Sequence, residues 1–237
     1  MLGKGFFLTE SHNPDLPPEE WTLVYEKTTA GAYSENLGWG KYKVVISGGG
    51  GSGAAMVREI LAKDMQFRYC ENGYAGQEQT VLLDVLLNET KTFSGTVGSG
   101  ASGSRVYYDG VWAKATYGAV GTGYANGAIA NTKYEFISQG NSGAWVGGSG
   151  GGSTSISVDG VLNTIANGGN GGGAQVNYNG YKTSTGGTGG GGGTTSGTGA
   201  SGGANVSKQA NSGSWTSGAG TDGYIRIYKS NLKPEPI

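Results

Sequence analysis

The sequence predicts a mainly β fold with little helix, in which β-hairpins and a small sheet combine with a bundle of glycine-rich segments of polyproline-II type (polyglycine II). Three observations carry that expectation. Glycine supplies 50 of the 237 residues, against a usual share of about 7%. Short apolar runs bounded by glycine recur along the chain, whereas helical periodicity is scarce. Three of the runs pass through Asp-Gly or Asn-Gly into another apolar residue, the strongest short signal for a type I′ hairpin.

Sixteen glycines fall in residues 1–103, so 34 of the 50 lie beyond. Hydrophobic residues make up only 35%, few for an ordinary core of this size. Disorder is the bland outcome of such a composition, but disordered chains carry high charge and few aromatics. This chain has 14% charged residues, 14 Tyr, 5 Trp and 5 Phe, which favours an ordered fold. The net charge of −1 makes nucleic acid and anionic membrane poor partners. There is no 18-residue apolar run to insert in a membrane. The N-terminus has no apolar core of secretory type. A single Cys and a single His exclude a disulfide within the chain and give no His/Cys metal site. No metal and no cofactor are expected.

In chain order, residues 1–20 form an N-terminal arm in which Pro14, Pro17 and Pro18 oppose helix. It reads either as a solvated tail or as an attachment segment for a larger assembly. Strands are expected over 21–26, 32–37 and 41–47, with Gly31, Gly38 and Gly40 in the turns. Next comes VVISGGGGSGA, in which Gly48, Gly50 and Gly53 fit G-x-G-x-x-G. A helix over 54–64, a strand over 65–69 and Glu71 near the ribose-binding distance would complete a dinucleotide fingerprint. That reading needs further alternating strands and helices, and the glycine-rich remainder does not supply them. Residues 54–72 are therefore expected as a helix-like insertion in the first glycine tract. Residues 80–87 read as strand or short helix, and 91–97 as strand.

The hairpin repeat follows as VYYDGV from Val106, ISVDGV from Ile156 and VNYNGY from Val176. Gly110, Gly160 and Gly180 are the turn glycines, because both central residues of a type I′ turn need positive φ. Glycine tracts at 147–152, 168–173 and 186–203 separate or follow the hairpins, and a last strand spans 223–229. A flexible linker suits one tract but not several alternating with hairpins. A phosphate cradle needs a following helix or a Walker Gly-Lys-Ser/Thr, and neither is present. Polyproline-II-type segments have three residues per turn and no internal hydrogen bonds, so neighbouring segments must satisfy one another's N–H and C=O groups. Gly186, Gly189 and Gly192 keep one such phase, and Gly187, Gly190 and Gly193 another. The hairpins are expected to clamp the ends of the glycine segments.

The succession WTLVYE from Trp21, GKYKVVISGGGGSGA from Gly40, TFSGTVGSGASG from Thr92, the hairpin–glycine repeats, and GTDGYIRIYK from Gly220 resembles the glycine-rich domain of bacteriophage tail-fibre and adhesin proteins. The likeness covers residues 21–229, leaving a C-terminal tail over 230–237. A similar glycine-rich module occurs in the ectodomain of anaplastic-lymphoma-kinase-type receptors. The resemblance implies a sandwich of polyglycine-II helices whose variable end loops bind a host-cell surface receptor. It implies a non-enzymatic protein on the virion, in a tail fibre or other surface appendage, attached to other virion proteins through the N-terminal arm. Aromatics in glycine-rich surroundings would make the receptor contact, since Tyr and Trp offer large area at low entropy cost. The candidates are Trp112, Tyr117, Tyr124, Trp145, Tyr181 and Trp215. For the same rings, cross-strand packing within hairpins is the competing role. A head-fibre decoration without receptor binding, a dinucleotide-binding oxidoreductase and an ice-binding protein are the alternative functions.

Overall fold

The computed structural model describes residues 17–60, 65–109, 113–116, 134–136, 143–178, 181–185 and 197–234. These contain strands and no helix. In chain order the strands are β1 Trp21–Lys27, β2 Gly31–Ser47, β3 Ala55–Glu59, β4 Met65–Cys70 and β5 Glu78–Val97. Then come β6 Arg105–Tyr108, β7 Ala113–Thr116, β8 Tyr134–Phe136, β9 Gly143–Val146, β10 Thr154–Val158 and β11 Val161–Ala166. The last five are β12 Ala174–Tyr178, β13 Tyr181–Thr185, β14 Val206–Ala210, β15 Gly213–Thr216 and β16 Tyr224–Ser230.

At one end of the molecule lies a six-stranded antiparallel sheet in the order β1-β16-β2-β5-β10-β11. Its ladder is the pairing of β2 with β5, from Gly31 opposite Val97 to Ser47 opposite Glu78. Alternation along β2 turns Tyr42, Val44 and Ile46 inward, as a strand with one buried face requires. They meet Phe93, Val97, Ile156, Ile225 and Ile227 in one core, where Tyr42 packs against Phe93 with ring centroids 5.6 Å apart. The expected turns at Gly38 and Gly40 are corrected. Both lie inside one 17-residue strand, at a register shift where Gly38 faces Thr90 and Gly40 faces Val85. Residues 80–87 and 91–97 likewise belong to a single strand. An irregularity in a long ribbon bends it without ending it.

Beyond this sheet the described residues cross the molecule as seven extended segments, residues 48–54, 71–77, 98–104, 147–153, 167–173, 197–205 and 217–223. The first is central. Its Gly48, Gly49 and Gly50 N–H groups donate to Gln77, Gly152 and Thr221. Gly51, Ser52 and Gly53 then donate to Tyr74, Ser149 and Gly218, and Ala54 returns to Glu71. The three acceptor segments thus recur every third residue, at 2.8–3.1 Å. Carbonyls of the same segment accept from the other three: Gly49 from Gly169, Gly50 from Ala101, Gly51 from Gly203 and Ser52 from Gly172.

The six outer segments close a ring through bonds between neighbours: Tyr74 N–H to Asn170, Gly151 to Gly169, Gly152 to Ser99, Gly220 to Ala101, Thr221 to Ser201 and Gly76 to Ala200. Direction alternates around the ring, because acceptor numbers fall by three as the donor number rises by three wherever an outer pair shares successive bonds, as in Gly220 to Ala101 followed by Gly223 to Gly98. Side chains are excluded from the centre. A Cβ on Gly48, Gly49, Gly50, Gly51 or Gly53 would lie 1.9–2.3 Å from a neighbouring carbonyl oxygen. Outward positions carry small or polar residues, with Asn72, Ser102, Ser201, Ala204 and Ala219 all exposed.

Buried hydroxyls fasten the ends of this bundle. The Thr154 hydroxyl donates to the Ser47 carbonyl and accepts the Gly98 N–H. Ser47 Oγ accepts the Ala200 N–H at 2.8 Å. At the other end the Ser217 hydroxyl donates to Gly53 O at 2.6 Å and accepts the Ser104 N–H. The Asp222 carboxylate accepts from both Ala30 and Gly100, at 3.0 and 2.9 Å. Each bond answers a backbone group that the strands leave unmatched, as burial demands.

Three small sheets cover the far end, in the orders β14-β3-β9-β8, β15-β6-β7 and β13-β12-β4. Here the expectation of a helix-like insertion over 54–72 is overturned. Residues 55–59 are strand β3, paired parallel with β14 and antiparallel with β9, and 65–70 are strand β4. The helical spacing of the apolar residues yields to sheet pairing on both edges, with Ala55, Met56 and Val57 fully buried.

The turns divide. Asp159 and Gly160 have φ of 50° and 80° and join Val158 directly to its partner Val161, the geometry of a type I′ turn. Tyr178 pairs with Tyr181, so two residues join β12 to β13, but Gly180 itself lies outside the described residues. At Gly110, also outside them, the two-residue turn is corrected. Tyr108 pairs with Ala113, leaving four residues between β6 and β7. Register there follows the burial of Val106 and Tyr108 against β15 and β9 rather than the Asp-Gly step.

Four outcomes are expected in unfolding experiments. Gly50→Ala places a methyl on the Ser201 carbonyl and is expected to cost about 3 kcal/mol or more. Ser102→Ala, on the outside, is expected to stay within about 0.5 kcal/mol. Equal stability of the two variants would contradict the packing described. A Cβ at Gly160 would meet no atom within 4 Å, so the loss of about 1–2 kcal/mol expected for Gly160→Val comes from backbone conformation. The Thr92 N–H, and then the Lys91 ammonium, hold the Asp159 carboxyl below the usual carboxylate range. Its contribution is present above the unfolded value and is lost as pH falls through the depressed folded value. Asp159→Asn keeps the turn and is expected to flatten the melting-temperature profile below about pH 4.

Candidate functional site

The two ends of the molecule differ in what they carry. Both described chain ends belong to the six-stranded sheet, where the Glu20 N–H donates to Asn231 Oδ1 and the Asn231 N–H donates to Glu20 O. The connections β3–β4, β6–β7, β7–β8, β8–β9, β12–β13 and β14–β15 all leave from the three small sheets at the opposite end. This second end is the candidate site.

Its floor is a small core of Ala55, Val57, Val106, Tyr108, Ala144 and Val146, with Val206 and Trp215 packed on it. Of the sequence-predicted receptor aromatics, Trp145, Tyr181 and Trp215 lie in strands at this end. Trp112 lies in the β6–β7 connection, and Tyr117 and Tyr124 in the β7–β8 connection, all three outside the described residues. Tyr181 opens β13 opposite Tyr178.

Two of the candidates are withdrawn from the surface, one wholly and one in part. Trp145 lies in β9 between Met56 and Tyr134 and is only 3% exposed. It is a core ring, which corrects its expected role as a surface contact. Ala144 and Val146 on either side of it face the floor, so by alternation the indole is buried on the opposite face of this sheet, beside its cross-strand neighbour Met56. Trp215 is half-buried opposite Val106. Its ring covers Gly213, where a Cβ would lie 2.6 Å from it and where φ is 147°. Only the outer part of this indole is available.

The sequence reading passed over two exposed aromatics here, Tyr69 in β4 and Tyr107 in β6. Tyr107 was legible in period-two alternation, since Val106 and Tyr108 point inward and the residue between them must point out. Tyr69 closes the strand expected over 65–69, whose two ends carry no alternation strong enough to assign a face. Beside Tyr107, Arg105 Nε donates to Ser214 Oγ at 2.7 Å and is exposed.

The dinucleotide fingerprint does not form its site. Gly48, Gly50 and Gly53 are buried at the centre of the bundle, and a strand follows them instead of a helix N-terminus. The approach of neighbouring carbonyls leaves no room for a pyrophosphate. Glu71 accepts the Gly173 N–H at 3.0 Å, a bond between two glycine segments. Cys70 Sγ faces Val206 O at 3.5 Å, and burial pushes its thiol up to about 11, leaving little thiolate at neutral pH. Among the described residues no three His, Cys, Asp or Glu side chains are grouped to hold a metal ion, and no helix is long and apolar enough to cross a membrane. No family model, curated protein or solved structure matches the chain.

Trp145→Ala is expected to lower stability by about 3–5 kcal/mol, whereas Tyr107→Ala is expected to leave the melting temperature unchanged. A Trp145 variant as stable as the parent would mean that the buried ring contributes no packing.

Proposed function

We propose that the chain is a virion adhesin or fibre component that recognises a host-cell surface receptor through its loop-bearing end. The observation that supports this most is the separation of ends. Both described chain ends belong to one sheet, and six strand connections, whose sequence includes three of the predicted aromatics, leave from the sheets at the other end of the glycine bundle. A protein held by its base can present such an end outward. Tyr69, Tyr107 and the open edge of Trp215 extend the aromatic set at that end.

The seven segments are, in this proposal, polyglycine-II helices. The recurrence of hydrogen-bond partners at every third residue supports that reading, since such a helix turns once in three residues. A rise of about 3.1 Å per residue makes each a spacer of about 20 Å between base and tip. The scaffold serves recognition by being stiff, so that loops can vary without disturbing their support. The N-terminal arm, which enters beside β1, would hold the protein to its virion partner.

The labelled full-length protein, applied to intact cells of a panel of bacterial strains, tests this. Saturable binding to some strains is expected, with Tyr69→Ala combined with Tyr107→Ala weakening it about tenfold or more. A base-sheet variant such as Leu82→Ala is expected to bind normally. Absence of binding to every strain, with the protein distributed along the virion body, would favour a structural decoration instead.

A further inference from the structure

The outer face of the β15-β6-β7 sheet carries a polar row. Along β6, Arg105 and Tyr107 are exposed, while Val106 and Tyr108 between and after them turn into the floor. Ser214 and Thr216 of β15 are exposed on the same face, opposite Tyr107 and Arg105. Lys114 of β7 holds the register position on the other flank of Tyr107. The Arg105 Nε–H donates to Ser214 Oγ at 2.7 Å. That bond sets the plane of the guanidinium, and no ion pair among the described residues engages its terminal amino groups. Tyr107 follows about 7 Å along the strand. Asp109, also exposed, lies beyond Tyr107 at the end of the row away from Arg105. Charge is unevenly shared between the sheets. The strands of the three small sheets hold Arg58, Arg68, Arg105, Lys114, Lys182 and Lys208 against only Glu59 and Glu135. Those of the base sheet balance six basic residues with five acidic ones. With the whole chain at −1, the basic excess in these strands is local.

We propose that this row binds a carboxylated sugar, so that the ligand of the loop-bearing end is an acidic polysaccharide. Its role as a receptor contact rests on reading that end as the receptor-facing one. A guanidinium held through Nε presents two parallel N–H groups, a planar match to a carboxylate that Lys cannot give. The Tyr107 ring, two residues on, offers an apolar face to the C–H face of the sugar. Ser214 and Thr216 supply donors and acceptors for sugar hydroxyls. The basic excess of the surrounding strands draws an anionic polymer towards them. A nucleic acid suits the row less. Its affinity comes from many cations set along a phosphate backbone, whereas here one oriented guanidinium stands in a row that ends at Asp109.

Binding of the full-length protein to immobilised polygalacturonate and alginate tests this, with methyl-esterified polygalacturonate and dextran as uncharged counterparts. Binding to at least one acidic polymer is expected, about tenfold or more tighter than to either uncharged one, and weakening as salt is raised. Arg105→Gln and Tyr107→Ala are each expected to weaken it about tenfold. Arg105→Lys, which keeps the charge and loses the planar fork, is expected to weaken it about threefold or more. All three are expected to leave the thermal transition unchanged, because the side chains are exposed. Lys27→Gln, which removes a charge from the base sheet, is expected to bind as the parent does. Binding to neither acidic polymer, binding indifferent to esterification, or binding that Arg105→Gln and Lys27→Gln weaken alike overturns the proposal. So does binding to double-stranded DNA as tight as to the acidic polymers. Saturable attachment to bacterial cells without preference for the acidic polymers overturns this proposal and leaves the receptor reading standing. Preference for the acidic polymers without attachment to any strain does the reverse.

Discussion

Contact between backbones, with no side chain between them, is the constraint on which this structure rests. The central segment donates seven backbone hydrogen bonds, every one of them to another segment. An α-helix satisfies its own backbone, and a strand needs two neighbours. Here three directions of donation and three of acceptance demand six neighbours. Six can surround one segment only if Cβ atoms are absent from the inward positions, so glycine at 48–51 and 53 is a geometric requirement rather than a source of looseness. Ser52, the exception, turns its hydroxyl to account by accepting the Ser149 N–H at 2.8 Å.

Such a bundle is entropically expensive. Ordering a residue costs about 1–2 kcal/mol of backbone entropy, and glycine loses most. Little apolar area is buried inside the bundle to offset that. The offset comes from its two ends. The base core around Tyr42, Phe93, Ile156 and Ile225 and the smaller floor around Val57, Val106 and Tyr108 hold the segment ends in place. Once both ends are fixed, each crossing has only its short interior left to order. Strands and glycine segments are thus one cooperative system, with Ser47, Thr154, Ser104 and Ser217 as the joints.

Much of this was legible in the residues. Glycine counts, alternation in 41–47 and 223–229, and the Asp159–Gly160 step led to strands, tracts and a turn that the structure contains. The failures have physical causes. Ala54 to Asp64 has the spacing of a helix, but its neighbours in space, β9 and β14, are 85 or more residues away in sequence. Local periodicity cannot register partners so distant. Asp109–Gly110 looks like Asp159–Gly160, and only the tertiary burial of Tyr108 tells them apart. At the loop-bearing end, period-two alternation would have separated Tyr107 from its inward neighbours, whereas the burial of Trp145 depends on β3 and β8, which nothing near it in sequence discloses.

The central position of residues 48–54 has a consequence for how the protein is made. It is the earliest of the seven crossings to leave the ribosome and the last to be complete, because Gly50 and Gly53 donate to Thr221 and Gly218. A nascent chain ending before those residues holds a glycine tract whose partners do not yet exist. Assembly is therefore a late, post-translational event governed by contacts of very long sequence separation, the regime in which folding is slow. A chain shortened by even its last crossing and closing strand would lose support at the core of the bundle as well as at its rim.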